Sequence, residues 1–447
     1  MTNWQSRFDV ATEVYTRCLL SGALLSGAER AASAREFRGW IDIFKSGGEE
    51  ARAILEDRLQ DENYNRCTTA ARLFIECGDA DSLARLSQNV ISFRGKITWQ
   101  DLKRLWVKVP PSKTLYDEFT QNNAYERTPL LQALLHRPTP AAYDLFREIT
   151  EGRDWYGTQA QTVEALAKWN DLPLLREFMN MFVDRDNTLA YGNGRDVRTI
   201  AAFYLGLGGE RDGIEFLKNE AGSANSAQAT EACYYLEQLA LPDAIEPTIR
   251  LFSRADGDTI ARAMNIASDL GLPEFIPIFC NIADRKKTSP TYDSETPMYD
   301  EAIRAVRNIV GKPIEDLDEE FVDPRDNPEP EIYGEGEFSE AYRRKAIAIA
   351  QNAMKAMNPV SRYRRGALLT LEHLATDLLS PHSGPMYRAA YHLRAITGED
   401  YGFDVDDDLI ANLPAIEAWQ KRANRPEPLV PGGWAYFGTP LPYPKLK

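Results

Sequence analysis

Histidine and cysteine, the side chains from which many active sites are built, are scarce in this chain of 447 residues. The four histidines, His136, His373, His382 and His392, stand outside any ligand set with metal-binding spacing, and on helical faces His373 and His392 read as packing residues. Five cysteines, Cys18, Cys67, Cys77, Cys233 and Cys280, are odd in number, scattered, and include no CxxC pair. That pattern excludes a disulfide frame or zinc ribbon legible from spacing. Each lies in an apolar helical context, so all are expected to be buried thiols of a protein kept in a reducing, cytoplasmic compartment.

Long apolar runs are missing as well. No stretch of about 18 apolar residues could span a bilayer, and the N-terminal MTNWQSRFDVATEVYTRCLLSGALLSGAE carries Asp9 and Glu13 ahead of its short apolar segment. It reads as a first amphipathic helix, not a signal peptide. Basic charge is in deficit: 52 Lys and Arg against 67 Asp and Glu leave a net charge of −15. A phosphate-binding surface needs clustered cations, so nucleic acid is a poor fit as partner and a basic protein a better one.

Catalytic signatures are absent too: no GxGxxG after a strand, no GxxxxGK[ST], no HExxH and no GxSxG. No catalytic residue, cofactor or metal ligand is nominated, and the chain is expected to be non-enzymatic. One acidic stretch has the composition of a calcium loop, LRAITGEDYGFDVDDD from Leu393 to Asp408. Such a loop, of about twelve residues starting at Asp404, would require Gly at the sixth place and Glu at the twelfth. Leu409 and Ala415 stand there instead. Gly398 is expected to close one helix, and Asp406, Asp407 and Asp408 to lie at the positive N-terminal end of the next, which carries Trp419.

What the sequence does contain is a repeat. AAFYLGLGGERDGIEFL from Ala201, ACYYLEQLALPDAIEPTI from Ala232 and AMNIASDLGLPEFIPIF from Ala263 fall into register every 31 residues. Asp212, Asp243 and Glu274 correspond, and Pro242 and Pro273 occupy one turn position. Apolar residues recur three and four apart on either side of that turn, so each unit reads as two amphipathic helices joined by a short break. Val163–Phe182 follows the same pattern with Pro173 in the turn, and Ala70–Leu86 does so with Gly78-Asp79. A single hairpin cannot bury its own apolar face, so hairpins of this kind stack in arrays.

The chain at this point resembles the HEAT-like repeat family. The resemblance implies an all-α fold, an α-solenoid of stacked HEAT-like helical hairpins wound as a right-handed superhelix, with binding along its concave surface. A second internal match pairs AVRNIVGKPIED from Ala305 with HLRAITGEDYGF from His392. Its Ile-Thr-Gly-x-Asp-Tyr-Gly form, with Trp419 in the helix beyond, is similar to the closing helices of bacterial HEAT-like proteins. The expected organisation is a repeat array over 1–311, an acidic Pro-rich loop over 312–337, C-terminal helical repeats and a cap over 338–424, and an extended Pro/aromatic tail over 425–447.

The acidic loop concentrates the charge. Between Pro313 and Glu337 eleven acids face one arginine, a net of −10, and four prolines bar a helix. The segments that follow, EAYRRKAIAIAQNAMKAM and SRYRRGALLTLEHLATDLL, read as helices with basic edges at Arg343, Arg344, Lys345, Arg362, Arg364 and Arg365. Either loop and helices neutralise one another, or Asp316, Asp318, Glu319, Glu320 and Asp323, with Phe321 and Tyr333 as apolar anchors, dock a basic protein partner. A second insertion, Asp284–Glu301, lengthens a turn, and in the tail Trp434, Tyr436 and Phe437 are expected to pack back onto the last helices.

The expected function is therefore protein binding without catalysis, as an inhibitor or immunity-type protein that sequesters a basic partner such as a bacterial toxin. The competing classes are a general assembly scaffold and a HEAT-like enzyme, either a chromophore lyase or an alkylated-base DNA glycosylase. For the glycosylase the tryptophans at 99, 106, 155 and 169 and a basic patch of Lys96, Lys103, Arg104 and Lys108 would matter. The segment WQDLKRLWVKV reads better as an amphipathic helix burying Leu102, Leu105, Trp106 and Val109.

Overall fold

The structure is a computed structural model, and it describes residues 3–20, 25–88, 97–109, 131–151, 159–180, 197–254, 257–284, 298–317, 338–424 and 434–442. These form an all-α protein with two short β-hairpins. No described helix is long and apolar enough to cross a membrane. The chain divides into two compact units. One comprises Met1–Val197, Ala375–Ala390 and Asp400–Asn424, the other Arg198–Leu374, Tyr391–Glu399 and Arg425–Lys447.

In the first unit, polar caps set the helix starts. Ser26 and Glu29 form a reciprocal capping box for Gly27–Ser46, and Asn63 and Thr98 cap Tyr64–Cys77 and Trp99–Lys108. Each side-chain oxygen satisfies a backbone N–H that the first helical turn leaves without a partner. Trp4–Leu20 packs on Gly27–Ser46, which also meets Leu409–Ala423, while Tyr64–Cys77 meets Trp99–Lys108. Phe8, Tyr15, Phe37, Phe44 and Leu55 are buried here, with the Tyr15 and Phe37 rings stacked at 4.6 Å. Gln159–Lys168 and Leu172–Met179 form a hairpin with Pro173 in the first turn of its second helix, as the repeat pattern requires.

The second unit contains the 31-residue register. Val197–Leu207 with Arg211–Ala221, Ser226–Gln238 with Ile245–Leu251, and Gly257–Leu270 with Ile276–Asp284 are three successive helix pairs. Ala201, Ala232 and Ala263 are all buried, because a methyl group at that position lets the first helices of adjacent pairs approach: Ser226–Gln238 lies against Gly257–Leu270, and Gly257–Leu270 against Met298–Val310. Pro242 and Pro273 open short 3-10 turns ahead of the second helices, where a missing N–H costs nothing. Each first helix is followed by a residue in the left-handed conformation, at Gly209 (φ 92°), Ala240 (φ 53°) and Gly271 (φ 70°). That turn redirects the chain into the second helix.

The internal match between Ala305 and His392 is also structural. Met298–Val310 and Ser383–Thr397 both end at a left-handed glycine, Gly311 (φ 73°) and Gly398 (φ 72°), whose N–H bonds back to Arg307 and Arg394. A β-hairpin sits on each end. Tyr363-Arg364 pairs with Ala367-Leu368, and Ala435-Tyr436 pairs with Thr439-Pro440. The Arg365-Gly366 and Phe437-Gly438 turns have φ above zero at both residues, the requirement of a type I′ turn. In the first, the Arg365 and Gly366 N–H groups donate to the carbonyls of Asn308 and Ile309. In the second, Phe437 and Gly438 donate to Ala395 and Ile396. The carbonyls that a helix end leaves open are thus filled in the same way twice.

One expectation is corrected by these hairpins. SRYRRGALLTLEHLATDLL is not a continuous helix; a hairpin precedes the helix Leu371–Asp377. In the tail, Trp434 is buried and donates from Nε1 to the Val360 carbonyl at 3.3 Å, the Tyr436 hydroxyl donates to the Gly206 carbonyl, and the Phe437 ring covers Gly209 and Gly398.

Candidate functional site

Among the described residues of the first unit, a dense group of ionisable side chains is centred on Asp404–Asp408, the acidic end of the stretch that resembles a calcium loop. Asn412, buried on the helix Leu409–Ala423, fastens this loop. Its Nδ2 donates to the Asp404 and Asp407 carbonyls at 2.7 and 3.1 Å, and its Oδ1 accepts from the Asp404 N–H at 2.9 Å. Asp408 caps the helix through the Ala411 N–H. Of the three aspartates expected at the helix start, Asp408 is the one whose side chain caps it.

The acids meet bases contributed by distant helices. Asp404 accepts from Lys103 Nζ at 3.2 Å, and Arg104 reaches Asp407 at 3.3 Å and Asp408 at 2.8 Å. Arg72 bridges Asp408 at 3.1 Å and Asp101 at 2.9 Å, while the Tyr15 hydroxyl and the Thr98 hydroxyl donate to Asp101. Arg72 and Asp101 are both buried. Of the expected basic patch, Lys103 and Arg104 are enclosed and engaged by aspartates, while the exposed Lys108 donates to the Ile75 carbonyl and to Glu76. Lys96 lies outside the described residues. Trp106 is fully buried, and Trp169 donates to the Leu135 carbonyl.

On the other side of Asp404, the helix Gln159–Lys168 places Glu164 and Lys168 one turn apart on one face. Lys168 Nζ lies 3.2 Å from Glu164, 3.2 Å from Asp404 and 3.5 Å from Asp406. Carboxylate oxygens of Glu164, Asp404 and Asp406 fall within 4.8 Å of one another. The position in which they converge is occupied by the chain's own ammonium group, so the arrangement is an ion-pair hub.

Burial and charge separate these carboxyls. Burial opposes ionisation of Asp404, but the Lys168 and Lys103 ammonium groups outweigh it and hold its carboxyl down at about 2. Burial pushes Glu164 up to about 7; Lys168 pulls against that shift, and Asp406 and Asp404 add to it. Asp407 and the fully enclosed Asp101 are also raised, chiefly by burial. Lys168 is held above its ordinary value because its three acids outweigh the burial that opposes its charge.

The second unit has its own enclosed set. His392 Nε2 lies 2.8 Å from the Glu237 carbonyl and 3.0 Å from its carboxylate. Arg362 donates to the Leu270 and Asp269 carbonyls and stacks 5.0 Å from the Trp434 ring. Glu237, Arg362 and His392 are all buried. His373 exchanges a hydrogen bond with Thr370. All five cysteines are free, and burial pushes Cys18 and Cys233 up to about 12 and Cys77 and Cys280 up to about 11. Thiols held there are poor nucleophiles.

Of the candidate partner-binding residues, Asp316 is exposed just beyond the short helix Lys312–Glu315, its N–H bonded to the Lys312 carbonyl. Asp318, Glu319, Glu320, Phe321, Asp323 and Tyr333 lie outside the described residues. On the basic edges, Arg343 donates to the Ala283 carbonyl and sits over the Tyr299 ring, and Arg344 pairs with Glu340. Arg365 approaches Glu315 of the acidic segment at 3.9 Å, with three quarters of its side chain exposed.

No protein-family model matches the chain. No curated protein matches it either. Among solved structures it is similar to the crystal structure of an engineered protein, at 15% identity over 87% of this chain and 88% of that one, with a TM-score of 0.24.

Proposed function

We propose that the chain is a non-catalytic, HEAT-like helical-repeat protein that binds a basic protein partner, in the manner of an inhibitor or immunity-type protein that sequesters a cationic toxin in the cytoplasm. The supporting observation is where the charge lies. Acids at 404–408 are met by Lys103, Arg104, Lys168 and Arg72 of the same unit. The segment 313–337, by contrast, carries −10 of the net −15 with a single arginine in it. The contact of its Glu315 with Arg365 is long and solvent-exposed, a class of pair that contributes about 0–1 kcal/mol. A concentrated negative segment on a repeat scaffold speeds capture of a cationic protein and sets its orientation.

The test is a pull-down from the source cell at low and at moderate salt, with the unaltered chain beside a variant carrying Asp316→Asn, Asp318→Asn, Glu319→Gln, Glu320→Gln and Asp323→Asn. A basic protein retained by the former, released as salt rises and lost from the latter is the expected result. Recovery of no protein partner at either salt concentration refutes the reading.

A further inference from the structure

Among the described residues the ion-pair hub of the first unit is unbalanced. Glu164, Asp404, Asp406, Asp407, Asp408 and Asp101 supply six carboxyls, whereas Lys168, Lys103, Arg104 and Arg72 supply four cations. Those carboxyls are mostly shielded from water: the side chains of Glu164, Asp404, Asp406, Asp407 and Asp408 are 18%, 24%, 22%, 26% and 17% exposed, and that of Asp101 is fully enclosed. Solvent screens such an excess poorly, which favours the protonated form of the carboxyls that have no cation of their own.

Geometry selects the carboxyl at which the proton matters. Arg72, Arg104 and Lys103 are committed to Asp101, Asp408, Asp407 and Asp404, and one ammonium group, that of Lys168, stands among Glu164, Asp404 and Asp406. Other groups facing the hub are His136, which follows the helical turn at 131–134 and lies beside Arg137, and Tyr387 of Ser383–Thr397. His136 feels Lys103, Lys168 and Asp404, and Tyr387 feels Asp406, Glu164 and Asp404. Among the described residues, Lys168 is the cation paired with Glu164.

We propose that this hub is a pH-operated latch inside the first unit. With Glu164 protonated, Lys168 is shared by Asp404 and Asp406 and fastens the helix Gln159–Lys168 to the 404–408 loop. Ionisation of Glu164 adds a third carboxylate beside Lys168, of which only Asp404 has a second ammonium among the described residues, that of Lys103, and loosens that fastening. Because the Glu164 carboxyl is raised from 4.5 to about 7 on folding, its contribution is fully present below pH 4.5 and is lost as pH rises through 7. The latch holds in mild acid and slackens above neutrality, in the range in which most carboxylates no longer titrate.

The decisive measurement is a carbon NMR titration of the glutamate side-chain carboxyls in the intact chain, with urea unfolding midpoints from pH 5 to 8.5. The Glu164 carbon is expected to titrate near 7, and the folded-to-unfolded ratio to fall on the order of a hundredfold across the range. In Glu164→Gln, which mimics the protonated form, that fall should be absent. A Glu164 midpoint near 4.5, or an undiminished fall in the variant, overturns the latch. A rise in midpoint at pH 8 on adding calcium or magnesium, abolished by Asp406→Asn, overturns it in favour of a metal site. If Glu164→Gln does not fold, the titration of the unaltered chain decides alone.

Discussion

The guanidinium of Arg72 lies 2.9 Å from the carboxylate of Asp101, and water reaches neither side chain. Asp101 is held by its own helix start, since the Thr98 hydroxyl that caps the helix also donates to it at 2.7 Å. Removing Asp101 leaves the buried Arg72 with Asp408 at 3.1 Å, so the cost falls short of the about 3–5 kcal/mol of a fully stranded charge. Asp101→Asn should lower the urea unfolding free energy by about 1–3 kcal/mol. The double change Arg72→Met with Asp101→Leu should cost less than the two single changes summed, and a double-mutant cycle measures the difference.

Acid should release the 404–408 loop. The Asp404 carboxyl falls from 3.8 to about 2 on folding, so its stabilisation is present above pH 4 and disappears as pH drops toward 2. The loss amounts to roughly 2 kcal/mol. Unfolding midpoints recorded between pH 5 and 2 should show it in the unaltered chain. The slope should be reduced in Asp404→Asn, which is less stable at neutral pH because Lys103 and Lys168 lose their shared acid.

Backbone conformation at the repeat turns gives a third test. Ala240 holds φ at 53° in the position that Gly209 and Gly271 occupy in the flanking repeats. An L side chain there costs about 1 kcal/mol, so Ala240→Gly should stabilise by roughly 0.5–1 kcal/mol. Gly271→Ala should do the reverse by a larger margin, because a Cβ at that residue would stand 2.3 Å from the Tyr363 carbonyl oxygen. Thermal unfolding of the two variants decides the sign.

The C-terminal hairpin should matter to stability far from its own position in the chain. Trp434→Ala removes a buried indole, its hydrogen bond to Val360 and the ring beneath Arg362, at an expected cost of about 3–5 kcal/mol. Gly398→Ala would push a methyl to within 2.7 Å of the Phe437 ring at a φ of 72° and should weaken the same hairpin. Limited proteolysis after residue 424 would report its release.

Much of the helical architecture was legible because its signals are local. Ala201, Ala232, Ala263 and the prolines at 242 and 273 announce helix, turn and helix within one 31-residue window, and Gly311 and Gly398 announce helix ends. The two hairpins carried a weaker signal, the dipeptides Arg365-Gly366 and Phe437-Gly438. Turns of this type favour Asn or Asp ahead of Gly, and Arg and Phe at positive φ are held there by hydrogen bonds to Asn308 and Ala395, remote in sequence.

The candidate site was less legible for the same reason. Spacing alone showed that Asp404–Asp408 lacks the glycine and glutamate of a calcium loop, and that Asp408 could cap a helix. That the cation among these acids is Lys168, 236 residues from Asp404, depends on packing, as does the burial of Lys103 on what reads as a solvent face. Sequence by itself determined the helical periodicity, the turn positions and the concentration of negative charge over 313–337, since each arises within a few residues of chain. Tertiary structure decided which charges are paired, which carboxyls burial pushes up and which helix ends are sealed by a hairpin. Those outcomes depend on dielectric surroundings and on partners that folding alone brings within about 3 to 4 Å.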